Sequence, residues 1–226
     1  MIQKHAVCVL VPAYNEKKKV RAVVDAVLER GFAVVVVDDG STDGTASAVR
    51  ESRAHVIVSA VNEGKGAAIR KGLDWALKND WQAVIILDAD GQHDPDELPR
   101  FLEELHLGEA DVVVGNRMHD PHGMPWLRRM TNRWMSWIIS GVAGQHIPDT
   151  QCGYRALTRK ALEVIELRTS RFEIESEMLM EAGRKGLKIK STPISSVYRD
   201  EASHIRPLRD TARFFRFLFS FLCSRK

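Results

Sequence analysis

Residues 6–16 read Ala-Val-Cys-Val-Leu-Val-Pro-Ala-Tyr-Asn-Glu, an apolar run that stops abruptly in a polar turn. Four more apolar, β-branched runs follow, at Ala33–Val37, Val56–Val58, Ala83–Leu87 and Val112–Val114. Runs that are apolar throughout, rather than alternating, suit strands of a parallel sheet covered on both faces. Helical patterns lie between them. In Gly64–Asn79 the residues Ile69, Leu73, Ala76 and Leu77 keep helical spacing, and Pro95 followed by Asp96 and Glu97 marks a helix start. This alternation predicts an α/β fold, a mostly parallel central sheet with helices on its faces and right-handed crossovers.

The pattern changes after Arg117. A turn-rich stretch at His119–Gly123 precedes a Trp- and Met-rich helical segment, Met124–Ile147. A loop at Pro148–Tyr154 leads to helices near Thr158–Leu167 and Glu173–Lys185, then a strand at Lys188–Val197 and an aromatic helix at Pro207–Leu222. The boundaries we expect are a domain over 1–205, with halves of about 1–117 and 118–205, and an amphipathic helix over 206–226.

Composition bounds the rest. The 226 residues carry 44% hydrophobic and 28% charged residues, enough to bury a core and unlike a disordered or coiled-coil chain. A net charge of +3 gives no argument for nucleic-acid binding. The three cysteines, Cys8, Cys152 and Cys223, form neither a disulfide framework nor a Cys-x-x-Cys zinc pair. No secretory signal is visible, and no stretch approaches the roughly 18 apolar residues of a spanning helix. The expectation is a protein on the cytoplasmic side.

In open α/β sheets ligands bind beyond the carboxyl ends of the strands. Those positions here hold Pro12-Ala-Tyr-Asn-Glu16, Asp38-Asp-Gly-Ser41, Asn62-Glu-Gly-Lys-Gly66 and Asp88-Ala-Asp-Gly-Gln92. A dinucleotide fingerprint fails, because Ile69 stands where the third glycine belongs, and no Gly-x4-Gly-Lys-Ser/Thr loop occurs. Asp88 and Asp90, one residue apart at a buried strand's end, can offer oxygens to one hard divalent cation, with the Gln92 carbonyl on the same side. Such a cation would stabilise a diphosphate as leaving group. The plainer alternative is that both aspartates cap the helix near Pro95.

Taken together and in this order, these strings resemble glycosyltransferase family 2, which has the GT-A fold. Asp149-Thr-Gln-Cys-Gly-Tyr-Arg155 is similar to a string of its polyprenyl-phosphate branch, the dolichyl-phosphate mannose and glucose synthases. The resemblance spans residues 5–215. It implies an inverting transfer of a hexose from a nucleotide sugar, of GDP-mannose or UDP-glucose type, to a polyprenyl phosphate. It implies that Pro12, Tyr14, Asn15, Glu16, Asp38 and Asp39 hold the base and ribose, and that Lys65 and Ala89 flank the nucleotide. Asp88, Asp90 and Gln92 would hold Mg2+ or Mn2+, which makes Asp88, Asp90 and Arg117 the catalytic set. A solvated lysine at a helix start is the other reading of Lys65.

An acceptor phosphate is already largely deprotonated at pH 7, since its second pKa is near 6. It needs cations rather than a general base, and arginine's planar fork suits it. The resemblance puts Arg117, Arg128, Asn132, Arg133, Asp149 and Gln151 on that side, against the alternatives of a solvated basic helix face and a loop-positioning role. One of Glu173, Glu175 and Glu177 is expected to face the sugar or to cap its helix. Tyr198-Arg199 and Ser203-His204 match a loop that closes over the diphosphate in relatives. Histidine stands where a lysine is frequent, which puts a charged clamp at neutral pH in doubt.

Three of the five tryptophans, Trp126, Trp134 and Trp137, fall together, and residues 121–148 carry three arginines and no acid. Residues 204–226 carry six Lys/Arg against Asp210, with Phe214, Phe215, Phe217, Phe219 and Phe221 among them. Both stretches read as interfacial on a membrane surface, or else as packing against the domain or a second subunit. The remainder of the chain is net acidic. Two further readings stay open: a family member acting on a soluble or protein hydroxyl, and a non-catalytic nucleotide-binding protein that retains the fold.

Overall fold

The computed structural model describes residues 2–195 and 207–223, the side chains of 207–213 excepted. Its strands are β1 (Val7–Ala13), β2 (Ala33–Asp38), β3 (His55–Val58), β4 (Ala83–Ile86), β5 (Val112–Asn116), β6 (Arg155–Thr158) and β7 (Ile189–Pro193). Its helices are α1 (Val20–Glu29), α2 (Thr45–Val49), α3 (Lys65–Lys78), α4 (Leu98–His106), α5 (Trp126–Ala143), α6 (Arg159–Val164), α7 (Glu173–Arg184) and α8 (Pro207–Cys223). Short 3-10 turns precede β1 and α4.

All seven strands join one sheet in the order β3-β2-β1-β4-β6-β5-β7. The β1–β2, β1–β4, β2–β3 and β5–β7 pairs are parallel. Every residue of β1 and β4 is buried, as uninterrupted apolar runs in a covered parallel sheet require. The edge strand β3 is only partly buried. Helix α3 lies directly on β1, where a Cβ at Gly72 would come within 2.2 Å of the Leu10 side chain. Helix α7 crosses the end of α5 as closely, since a Cβ at Gly183 would meet the Ala143 carbonyl at 2.4 Å.

Strand β6 is the element that sequence patterning does not indicate. It runs antiparallel between β4 and β5. Its four residues, Arg-Ala-Leu-Thr, show neither a run nor an alternation, and both edges that recruit it lie far away in sequence. Because β6 is reversed, Arg155 pairs with Ile86 at the carboxyl end of β4. The 149–154 loop that precedes it is therefore delivered to the edge where β1, β2 and β4 end. The strand expected over 188–197 stops at Pro193, within the described residues.

Helix α8 divides the C-terminal phenylalanines. Phe214 and Phe221 are buried in the main core, whereas Phe215 and Phe219 are exposed. Among the described residues no helix is long and apolar enough to cross a membrane.

Candidate active site

The loops after β1 and β2 are tied together by side chains that replace missing backbone partners. Asn15, at a left-handed φ of 54°, donates its amide to Ser41 Oγ (2.9 Å) and accepts the Thr42 amide (3.0 Å). The Glu16 amide donates to Thr45 Oγ1 at 2.9 Å. Asp38 and Asp39, each 2% exposed, are committed to backbone. Asp38 accepts the amides of Ser41 (2.9 Å) and Ala46 (3.0 Å). Asp39 accepts those of Glu63 (3.1 Å) and Gly64 (2.6 Å). The structure thus gives both aspartates a loop-shaping task where the sequence suggested direct contact with base and ribose. Pro12 is buried in β1, while Tyr14 is exposed and open to a planar ligand.

By fixing Gly64, Asp39 sets the start of α3 and with it Lys65. The solvated reading of this lysine is wrong, because its side chain turns inward. Its Nζ lies 2.7 Å from Asp88 Oδ1, 2.9 Å from Asp88 Oδ2 and 2.7 Å from Glu175 Oε1. Burial alone would lower the lysine pKa, but the two carboxylates raise it, so the ammonium is charged at all ordinary pH. Burial alone would raise that of Asp88. The Lys65 ammonium outweighs it, helped by Arg117, and holds Asp88 below the usual carboxylate range. The acceptor-side loop presses on this pair at Gly153, where a Cβ would sit 2.5 Å from Asp88 Oδ2 and 3.1 Å from Lys65 Nζ.

Asp90 follows one residue later, beside the buried Ala89, and accepts the Gln92 amide at 2.9 Å. Its pKa is raised, first by burial and then by the charge of Asp88. The charge of Asp88 thus opposes the ionisation of Asp90, and a cation beside both would relieve it. Among the described residues no group of three or more His, Cys, Asp or Glu converges. The two carboxylates are oxygen donors of the kind a hard divalent ion takes when ligand oxygens and water complete its shell. They do not make a self-contained structural metal site.

His93, which the sequence reading passed over, is buried against Tyr154 with ring centroids 5.4 Å apart. Burial pushes its pKa down to about 4, so the ring is neutral at pH 7, and its Nδ1 has no hydrogen-bond partner. The signal was available, since His93 directly follows Gln92 in the acidic string.

The proposed acceptor residues divide. Arg117 (4% exposed) and Asp149 (fully buried) form a two-pronged pair, Nε to Oδ2 at 2.8 Å and Nη2 to Oδ1 at 2.9 Å. Asn132 donates to Asp149 Oδ1 at 2.8 Å. Ser136, one turn on, receives the Thr150 amide at 2.9 Å. Gln151 is half-buried and reaches Thr150 Oγ1 at 3.2 Å. Arg128 and Arg133, by contrast, lie on exposed faces of α5. Arg133, directly after Asn132, points about 100° away from it around the helix.

Arg155 is structural. Its guanidinium donates to the carbonyls of Cys152 (2.7 Å), Thr150 (2.8 Å) and Glu175. Of the three glutamates that open α7, Glu173, Glu175 and Glu177, Glu175 faces Lys65. Glu177 instead accepts the amides of Arg168 (3.0 Å) and Thr169 (2.9 Å), bracing the loop beside Gly64 and Gly66. Arg199, Tyr198, Ser203 and His204 lie outside the described residues.

The strand ends and the loop before β6 carry a carboxylate pair, a buried lysine and a buried arginine–aspartate pair. Residues 8–165 match the family described as Glycosyl transferase family 2, and the chain belongs to it. It is a glycosyltransferase. Glycosyltransferase AglJ of Haloferax volcanii is 35% identical over 210 residues, covering 91% of this chain and 68% of that protein. A polyprenol monophosphomannose synthase of Mycolicibacterium smegmatis is 31% identical over 207 residues, covering 85% and 77%. Glucosyl-3-phosphoglycerate synthase from Mycobacterium tuberculosis, solved with Mn2+ and UDP-glucose, shares the fold. Its TM-score is 0.73 at 23% identity, over 97% of this chain and 78% of that one.

Proposed function

We propose that the protein transfers a hexose, with inversion, from a nucleotide sugar of GDP-mannose or UDP-glucose type to a polyprenyl phosphate. The residues before Arg117 serve the donor and those after it the acceptor. Tyr14, Asn15 and Glu16 line the base and ribose on loops set by Asp38 and Asp39. Asp88, Asp90 and Gln92 would hold Mg2+ or Mn2+, which when bound neutralises the diphosphate leaving group. Lys65 supplies fixed positive charge against the same oxygens. Arg117, with Asp149 and Asn132 orienting it, faces the acceptor phosphate.

One observation carries the choice of acceptor. Attack by a hydroxyl calls for a general base with a pKa near the working pH. On the acceptor side Asp149 is held ionised by Arg117, with a pKa below the ordinary range, and Glu175 is paired with Lys65. Asp149 is thus not tuned to take a proton, and a phosphate nucleophile requires no base. Relatives named for transfer to polyprenol or dolichyl phosphate support the same choice. The reading sets the reaction at a membrane surface, on its cytoplasmic face.

A ligand that binds only the native state raises its melting temperature by mass action. With Mn2+ present, UDP or GDP at about 100 times its Kd should stabilise the protein by about 2.7 kcal/mol, a rise of several degrees. With EDTA the rise should largely vanish. Equal shifts with and without the metal would contradict the metal-bridged donor site.

A further inference from the structure

We propose that Glu175 is a positioning residue of the donor site: it keeps the Lys65 ammonium inside the site when a divalent cation takes Asp88, and thereby sets how tightly that cation binds. This rests on the reading of Asp88 and Asp90 as the cation's carboxylates. Lys65 Nζ lies 2.7 Å from Asp88 Oδ1, 2.9 Å from Asp88 Oδ2 and 2.7 Å from Glu175 Oε1. One ammonium therefore faces both oxygens that Asp88 can offer. Like charges repel strongly at such distances in a buried site, so a cation that binds Asp88 must displace Lys65 from it.

The displaced charge has one counter-charge left. Among the described residues the ion pairs of Lys65 are with Asp88 and Glu175. The loop before β6 closes another side, since a Cβ at Gly153 would stand 3.1 Å from Nζ. An ammonium left in this little-exposed place without a carboxylate would be costly, and that cost would appear as weaker cation binding. Glu175 removes it by retaining Lys65 when Asp88 is given up.

Glu175 is the fixed member of the pair and Lys65 the movable one. Glu175 stands in the first turn of α7, between the buried residues Ile174 and Ser176. Its backbone carbonyl accepts the buried guanidinium of Arg155, which also donates to the carbonyls of Thr150 and Cys152. The start of α7 is thus tied to the loop before β6. Lys65 carries its charge on a flexible four-carbon stem and can turn from one carboxylate to the other with the backbone still. Glu175 is not itself a third ligand, because among the described residues no group of three or more His, Cys, Asp or Glu could hold a metal. Its effect on the cation must therefore pass through Lys65.

The experiment measures Mn2+ binding without nucleotide, by paramagnetic resonance of the free ion, in wild type, Glu175→Gln, Lys65→Met and the double variant, with melting temperatures alongside. Glu175→Gln should weaken Mn2+ binding roughly tenfold or more. In the Lys65→Met background the same change should cost about fivefold less or better, since the two residues act as one unit. A smaller loss in the single variant would overturn the proposal. So would a loss that does not shrink in the double variant, because Glu175 would then act on the cation directly. If Glu175→Gln does not fold, Glu175→Asp keeps the charge but draws it back from the ammonium. A loss of about threefold or more that Lys65→Met removes would then support the proposal, and no loss would overturn it. Asp88→Asn tells this failure from that of the metal reading. Mn2+ binding as in wild type would remove Asp88 from the metal site and the proposal with it, whereas weakened binding leaves the metal reading standing whatever Glu175 does.

Discussion

Asp88→Asn is expected to lower turnover by roughly a thousandfold, equivalent to about 4 kcal/mol of lost charge stabilisation at the leaving diphosphate. Asp88 is the group on which the donor chemistry converges. Both its oxygens face Lys65, and Asp90 is next but one in the chain. The amide removes a negative donor yet keeps the shape, and Lys65 retains Glu175 as its partner, so the fold should persist. Lys65→Met is expected to act oppositely on the cation. Without the competing ammonium, nucleotide-free Mn2+ affinity should rise, although turnover falls. Manganese binding by calorimetry or paramagnetic resonance, with steady-state rates, separates the two. Full turnover in Asp88→Asn would remove Asp88 from the metal site, and a weaker Mn2+ site in Lys65→Met would contradict the competition.

The second large effect is on stability. Arg117→Ala leaves the carboxylate of Asp149 fully buried with its main counter-charge gone. Breaking a buried pair from one side costs about 3–5 kcal/mol. At about 2–4 °C per kcal/mol for a chain of this size, the melting temperature should drop by about 10 °C or more. Arg117→Met combined with Asp149→Leu should cost less than the sum of the single changes, because neither charge is then stranded.

The pair also fixes an acid dependence. Burial alone would raise the Asp149 pKa, but the hydrogen bonds and charge of Arg117 outweigh it and the native pKa lies below the ordinary value. The stabilisation is therefore fully present above the unfolded pKa of about 3.9 and is lost as pH falls through the lower native value. Denaturation midpoints between pH 5 and 2 should fall more steeply for wild type than for Asp149→Asn. Parallel acid limbs would show that Asp149 is not the group responsible.

What could be read from the sequence follows from how local each signal is. Strands β1, β2 and β4 announce themselves because burial on both faces makes their runs apolar, and α3 ends at Lys78 with Asn79 as its cap, one residue inside the pattern read over Gly64–Asn79. Asp88 and Asp90 stand out as a candidate pair because they form one short string. Lys65 was not settled, since its second partner, Glu175, lies 110 residues away. The same holds for Asp38 and Asp39, whose neighbours in the chain do not show that they brace loops. Strand β6 exists through its pairing on both sides, a tertiary fact. On α5, composition indicated a basic segment, but only helix phase divides Asn132, turned in to Asp149, from Arg133, turned out.

The transfer reaction itself is tested most directly by supplying labelled GDP-mannose, UDP-glucose and other common donors with Mn2+, offering undecaprenyl or dolichyl phosphate and, in parallel, the corresponding alcohol. The expected result is an organic-extractable product with the phosphate only, abolished by EDTA, from which mild acid releases the sugar. Label transferred to the alcohol, or no extractable product from any donor, would contradict a metal-dependent polyprenyl-phosphate hexosyltransferase.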